Sequence, residues 1–501
     1  MIRSSMIRSR ITALGVLLLL PPLSPGRLMG AAQQHVESAA PNIIFIMADD
    51  LGYGELGAYG QQKIRTPRLD RLAAEGMRFT QFYSGSTVCA PSRATLLTGV
   101  HTGHSFVRDN QELGGFLDEE ERGQIALPPD HPTLARALSS RGYVTAVIGK
   151  WGLGGPGSTG LPTRQGFNQF FGYLDQKQAH NFYPTHLWRN EERYPLRNTY
   201  FSPHQRHEGD PHDPAAYRKY TGTDYAIDLM TREASAFIAA NRDKPFFLYF
   251  APTLPHVSLQ VPDHAVAEYA GAFPETPYLG EQRYLPQRTP RAAYAAMITY
   301  LDAQVGALLD TVSKAGLDDK TIIFFTSDNG ATFDAGGAPT GFFTSNGPLR
   351  GHKTQLYEGG IRVPMIVRWP GRIATGTTSS HVAANWDMWA TFSELTGAPL
   401  REDTDGISML PVLLGAKATE HEFLYWEFHS QGSAQAVRMG RWKGIRNKAR
   451  ASPDGPVELY DLEADPSETT DVSSQHPDIV RRIAEIMRTA RTRSHYEKWN
   501  F

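Results

Sequence analysis

The sequence predicts an α/β fold: a large, mostly parallel β-sheet sandwiched by helices, with a smaller α+β subdomain at its C-terminal end. Five short runs, apolar almost throughout and bounded by turn residues, read as buried strands: Asn42–Ala48, Val144–Ile148, Phe246–Ala251, Ile322–Ser327 and Pro364–Arg368. Helical patterns lie between them. One covers about Thr133–Arg141, and another places Met297, Leu301, Val305 and Leu308 on one face. Strands alternating with helices imply parallel pairing with both faces covered. Ligands of such sheets bind beyond the carboxyl ends of the strands, so residues just after strands matter most.

After about Gly397 the pattern changes. Phe423–Phe428, Ala434–Met439 and Val457–Asp461 read as short strands, and Ile479–Arg491 as a closing helix. A catalytic-sized α/β domain is therefore expected over 41–397 and the C-terminal subdomain over 398–501. Two stretches, Gly152–Thr221 and Asn329–His352, read as long irregular loops rich in Gly and polar residues. Loops of that length in a compact domain are functional or disordered, and aromatic content in the first favours function.

A chain of 501 residues can bury a sizeable core. Its formal net charge of −2 gives no field that would draw nucleic acid or a membrane surface. One cysteine permits no internal disulfide. The first segment carries Arg3, Arg8 and Arg10, then an apolar run from Ala13 to Leu20, then Gly30-Ala31-Ala32. That order reads as a signal peptide over 1–32, with an apolar run too short to span a bilayer. Export to the periplasm or medium is expected, with no stable membrane insertion after cleavage.

Two acidic strand ends carry the first chemistry. Asp49-Asp50 follows the strand ending at Ala48, and Asp328-Asn329 follows the strand ending at Ser327. Either pair alone suits a turn or a cap. At one edge of one sheet they offer three carboxylates and an amide oxygen, a hard-oxygen set that suits Ca²⁺ ahead of Mg²⁺ and does not suit zinc. The segment Val88-Cys89-Ala90-Pro91-Ser92-Arg93 reads as a loop entering a helix near Pro91, with Cys89 beside the helix N-terminus and Arg93 one turn in. A helix N-terminus and an arginine both favour a tetrahedral oxyanion, although a lone cysteine is more often an inert core residue.

Cys89-Ala90-Pro91-Ser92-Arg93, followed by Leu97-Thr98-Gly99, resembles the signature of the type I sulfatases of the alkaline phosphatase superfamily. Further motifs extend the resemblance from about Pro41 to the C-terminus. They are Ala48-Asp49-Asp50-Leu51-Gly52-Tyr53-Gly54, Gly149-Lys150-Trp151, Pro255-His256, Ser327-Asp328-Asn329-Gly330, and Arg350-Gly351-His352-Lys353 continuing to Pro364.

The resemblance implies an alkaline-phosphatase-like fold and hydrolysis of sulfate esters. It implies that a formylglycine-generating enzyme, reading Cys89, Pro91 and Arg93, converts Cys89 to formylglycine, whose hydrate is the nucleophile. Asp49, Asp50, Asp328, Asn329 and the oxidised Cys89 would hold the cation. Arg93, Lys150 and Lys353 would stabilise the sulfuryl oxygens, and His256 would protonate the departing alcohol. One position departs from the family: Gly152 stands where a histidine commonly contacts the hydrate.

Mixed polar and aromatic segments suit sugar hydroxyls and ring faces, and they nominate His180, Asn181, Arg108, Asn110 and His429 as substrate contacts. His180 is the residue that could reach the volume left by Gly152, or else grip a sugar further out. With export, these segments point to sulfated carbohydrate, as for bacterial arylsulfatases and carbohydrate sulfatases. The alternatives are a phosphomonoester or phosphonate monoester hydrolase of the same superfamily, and a non-catalytic sulfoglycan-binding protein.

Overall fold

The computed structural model describes residues 40–501, so the reading of 1–32 as a signal peptide lies outside the described residues. In chain order the large sheet comprises β1 (Asn42–Ala48), β2 (Met77–Tyr83), β3 (Val144–Lys150), β4 (Gln169–Tyr173), β5 (His186–Arg189), β6 (Glu192–Pro195), β7 (Phe246–Ala251), β8 (Thr321–Ser327), β9 (Arg362–Arg368), β10 (Thr377–Ser379) and β11 (Ala383–Ala384). Its order is β10-β2-β9-β8-β1-β7-β3-β4-β5-β6, with β11 also on β2. The centre, β8-β1-β7-β3-β4, is parallel, with β1 in register against β8 from Asn42↔Thr321 to Ala48↔Ser327. Antiparallel pairs occur only towards the two sides, where β9 joins β8 to β2 and where β5 pairs with β4 and β6.

β1 shows why the centre is apolar on both faces. Ile44, Ile46 and Ala48 pack into one core with the helices 226–240 and 290–314, whereas Ile43, Phe45 and Met47 pack into another with the helices 89–98, 134–139 and 387–396. Alternate side chains of one strand thus enter opposite layers, which demands a continuous hydrophobic run.

A second, antiparallel sheet holds β12 (Leu424–Phe428), β13 (Ala434–Met439), β14 (Trp442–Asn447) and β15 (Glu458–Asp461). The helix Pro477–Thr489 covers it through Ile483, Ile486 and Met487.

One expectation on elements is corrected, and two strands are present that the sequence pattern does not indicate. The stretch 152–221 is not irregular throughout, because β4, β5 and β6 lie within it and extend the sheet. β2 was not expected: its Arg78, Thr80 and Gln81 interrupt the apolar run, and these positions are only partly buried. β14 was hidden by Lys443 and Arg446, charges that look exposed in sequence and are buried in the fold.

Candidate active site

The site forms at the carboxyl edge of the parallel strands, where adjacent strands diverge and leave room for side chains. Asp49 and Asp50 leave β1, Asp328 and Asn329 leave β8, and Lys150 ends β3. His256 follows β7, and Lys353 arrives from the segment joining β8 to β9. Cys89 is the first residue of the helix Cys89–Thr98, two positions earlier than expected. Gly99, in the left-handed conformation at φ 68°, ends that helix by returning its N–H to the Thr95 carbonyl.

These side chains converge on one buried cluster. The thiol of Cys89 lies 3.4 Å from Asp49 Oδ1, 3.4 Å from Lys150 Nζ and 3.5 Å from Lys353 Nζ. Lys150 donates to Asp49 Oδ2 at 2.8 Å. Lys353 lies 2.8 Å from Asp50 Oδ1 and 3.0 Å from its Oδ2. Arg93 donates to Asp328 Oδ2 at 2.8 Å and to the Lys150 carbonyl at 2.7 Å. His256 Nε2 stands 3.6 Å from Asp50 Oδ2.

Three carboxylates are thus met by three cations, all withdrawn from water. Unpaired, each such charge would cost several kcal/mol, so the constellation holds together only as a set. Burial alone would raise Asp49, but Lys150, His256 and Arg93 hold it far below the usual carboxylate range. Burial, reinforced by the charge of Asp328, pushes the Cys89 thiol well up, so it stays protonated. Burial likewise lowers His256 to about 4, with Lys353 adding to the effect and Asp50 opposing it.

The residues fit a divalent cation. Asp49, Asp50, Cys89 and His256 bring one ligand atom each to within 4.8 Å of one another. Asn329 Oδ1 is buried and has no hydrogen-bond partner among the described residues, while its Nδ2 donates to Asp50 Oδ1 at 2.8 Å. An acceptor left alone in the interior is costly unless a cation or proton reaches it.

Residues 41–398 match the sulfatase family. The chain belongs to that family. Residues 351–493 also match the C-terminal region described as N-sulphoglucosamine sulphohydrolase, C-terminal. Arylsulfatase A of Bos taurus is 33% identical over 86% of this chain and 83% of its own length. The N-acetylgalactosamine-6-O-sulfatase of Bacteroides thetaiotaomicron is 31% identical over 94% of this chain and 98% of its own. Among solved structures, Ps i-CgsB in complex with a neocarrahexaose superposes with a TM-score of 0.73 at 28% identity, covering 92% of this chain and 93% of that one. This sulfatase is a sulfuric ester hydrolase on an alkaline-phosphatase-like fold.

The nominated substrate residues of this sulfatase divide. His180 lies at the site: its ring stacks on His256 at 5.0 Å, and its Nδ1 shares a hydrogen bond with His204 Nε2 at 2.9 Å. It does not fill the volume beside Gly152. A Cβ there would sit 2.6 Å from Gln176 Nε2, a buried nitrogen with no hydrogen-bond partner among the described residues, and Gly152 at φ 81° adopts a backbone that side chains disfavour.

Asn110 Oδ1 accepts from Ala90 N–H at 2.8 Å and so helps to cap the Cys89 helix. Asn181 is buried and accepts from Tyr183 N–H at 2.9 Å, bracing its own loop. Arg108 and His429 are not brought to the cluster. Both are buried against Glu427 Oε1, each at 2.9 Å, in an ion-pair group that ties the C-terminal sheet to the first domain.

His204, Tyr284 and Gln176 also line or adjoin the site, and the motifs did not point to them. The only sequence signal for His204 and Gln176 is membership of the long stretch 152–221, and Tyr284 lies in a different segment that nothing singles out.

Proposed function

We propose that this sulfatase removes sulfate from carbohydrates, with Cys89 oxidised to formylglycine by a maturing enzyme and with Ca²⁺ held by Asp49, Asp50, Asp328, Asn329 and position 89. The observation that carries the reading is the thiol itself, ringed by Asp49, Lys150 and Lys353 at 3.4–3.5 Å. A buried thiol kept protonated is a poor nucleophile, yet the surroundings are those of a reaction centre. As an aldehyde, position 89 supplies a hydrate oxygen for attack on sulfur and a second hydroxyl for releasing sulfate. The cation supplies positive charge beside that oxygen and the sulfuryl group.

The chain's own groups do the rest. Lys150 and Lys353, already directed at position 89, donate to the sulfuryl oxygens as negative charge builds there. Arg93 holds Asp328 and the Lys150 carbonyl, and so positions both the cation ligand and the lysine. His256 delivers a proton from Nε2 to the departing alcohol; the anionic ester and Asp50 favour its imidazolium against the effect of burial. His180, stacked on His256, faces the alcohol side and grips the sugar.

Homologues named for N-acetylgalactosamine 6-sulfate and a neighbour solved with a carrahexaose support a sugar as the alcohol. Export to the periplasm or medium, where such polymers are met, belongs to the same reading.

Peptide mass spectrometry of active enzyme tests it. Formylglycine at position 89 is expected, with activity abolished and folding retained in Cys89→Ala. Fully active protein carrying only the unmodified thiol would overturn the reading.

A further inference from the structure

An open cavity of about 820 Å³ adjoins the cluster on its alcohol side. His180 and Tyr284 line it, and the same two rings pack against buried His256, so one layer of side chains separates the cavity from the proposed proton donor. A volume of this order exceeds one sugar ring and falls at the upper end of ligand pockets. Its walls are aromatic: the rings of Phe116 and His204 lie 4.2 Å apart, and those of His204 and Tyr284 5.0 Å apart. Its rim is charged, by Lys177, Arg206, Arg283, Glu112 and Glu281.

The rim charges are not equivalent. Lys177 pairs with Glu112 at 3.9 Å and also donates to the Gly114 carbonyl. Glu281 Oε2 accepts from the Leu279 N–H at 3.0 Å. Arg206 and Arg283 have no carboxylate partner among the described residues, although both line one cavity. The two arginines come from segments packed on one another. His207 N–H donates to the Leu279 carbonyl at 2.9 Å, and a Cβ on Gly280 would lie 2.3 Å from the Gln205 carbonyl oxygen. The backbone of Arg283 is held at φ 77°, where non-glycine residues are uncommon, with its N–H on the Gly280 carbonyl at 3.3 Å. Two exposed guanidinium groups without a carboxylate partner among the described residues thus line one cavity, whose His180 and Tyr284 pack against His256 of the reaction centre.

We infer that Arg206 and Arg283 form a subsite for a second anionic group, on the sugar next to the one that bears the scissile sulfate. This rests on the sulfatase reading above and adds to it a substrate class: an oligosaccharide carrying at least two negative charges. A guanidinium fork matches the oxygens of a sulfate ester and of a uronate carboxylate equally well. The shared chemistry is a bidentate oxyanion, and the assay separates its sources.

The test uses the mature enzyme and the double variant Arg206→Ala/Arg283→Ala on four substrates: 4-nitrophenyl sulfate, a neutral disaccharide with one sulfate, a disulfated disaccharide, and a monosulfated disaccharide with a uronate neighbour. The double variant should lose about 5- to 10-fold in kcat/KM, through KM, on one or both doubly charged disaccharides at low salt. The loss should shrink at high salt, while 4-nitrophenyl sulfate and the neutral disaccharide stay within about twofold. Loss on the disulfated sugar alone identifies sulfate; loss on the uronate alone identifies carboxylate. Equal loss on all four substrates, or none on either charged disaccharide, would overturn the subsite.

Binding of the same disaccharides to the Cys89→Ala protein reads the subsite without turnover. A preference for the charged sugars that vanishes with the two arginines supports it, and no such preference rejects it. Lack of turnover by the wild-type enzyme would instead defeat the sulfatase reading and leave that binding result to decide the subsite.

Discussion

His256 and Lys353 both approach Asp50, yet they differ in what their protons can do. Lys353 is a permanent cation held by two carboxylate oxygens, and burial is outweighed by the charge of Asp50, so its pKa stands well above normal. His256 is pushed down to about 4 and gains a proton only with help from an anion. A proton donor of this kind matters most when the departing alcohol is a poor leaving group. His256→Ala should therefore cut turnover of alkyl sugar sulfates by about 10²-fold or more, and of aryl sulfates much less. Parallel rates on both substrates would show equal losses if the ring served binding alone. The residue types of this cluster were legible in the sequence, because motifs preserve short-range order such as Asp49-Asp50 and Cys89 to Arg93. Gln176 was not, because what makes it notable is a contact with Gly152 that only the folded loop creates.

At the scale of elements, β1, β7 and β13 run from and to the residues expected, since each is apolar enough to be buried on both faces or is bounded by turns. Arg108 and His429 show where such reasoning stops. Both meet Glu427, and Arg108 does so across 319 residues of chain, a distance over which no local pattern carries information.

Burial would raise the Glu427 carboxyl, but the His429 hydrogen bond with Arg108 and Arg491 holds it well below the carboxylate range. Glu427→Gln keeps the shape and leaves two guanidinium groups, the buried Arg108 and the partly buried Arg491, without their anion. Destabilisation of about 3–5 kcal/mol is expected near neutral pH, read as a lowered denaturation midpoint. A depressed folded pKa contributes stability above the unfolded value of about 4.3 and loses it as pH falls towards the folded value. The gap between wild type and Glu427→Gln should therefore narrow below about pH 4. A gap that stays constant from neutral to acid pH would place the destabilisation in packing and not in charge.

For the molecule as a whole, the cluster at the sheet edge joins the strands that form its centre. Asp49 and Asp50 extend β1 and Asp328 and Asn329 extend β8, so a cation that binds these acidic ends restrains two adjacent central strands at once. A ligand that binds only the folded chain raises its stability by mass action, by about 2.7 kcal/mol at 100 times its Kd. The cation ligands exist as a set only in the fold, because the two acidic pairs lie 278 residues apart in the Asp50–Asp328 contact. Protein freed of metal with a chelator should thus melt at a lower temperature, and added Ca²⁺ should restore the midpoint in a concentration-dependent way. Mg²⁺ should restore it less, since it demands a tighter octahedral shell and sheds water reluctantly. Because oxygen ligands dominate, the response should persist in Cys89→Ala, which cannot turn over substrate. Asp328→Asn removes one carboxylate charge and turns the Arg93 ion pair into at most a neutral hydrogen bond, so its baseline should fall and its response to Ca²⁺ should largely disappear. If neither cation moved the midpoint of wild-type or Cys89→Ala protein, the unpartnered Asn329 oxygen and the acidic strand ends would need another explanation. If Zn²⁺ alone moved it, His256 and Cys89 would have to be counted as the principal ligands in place of the carboxylates.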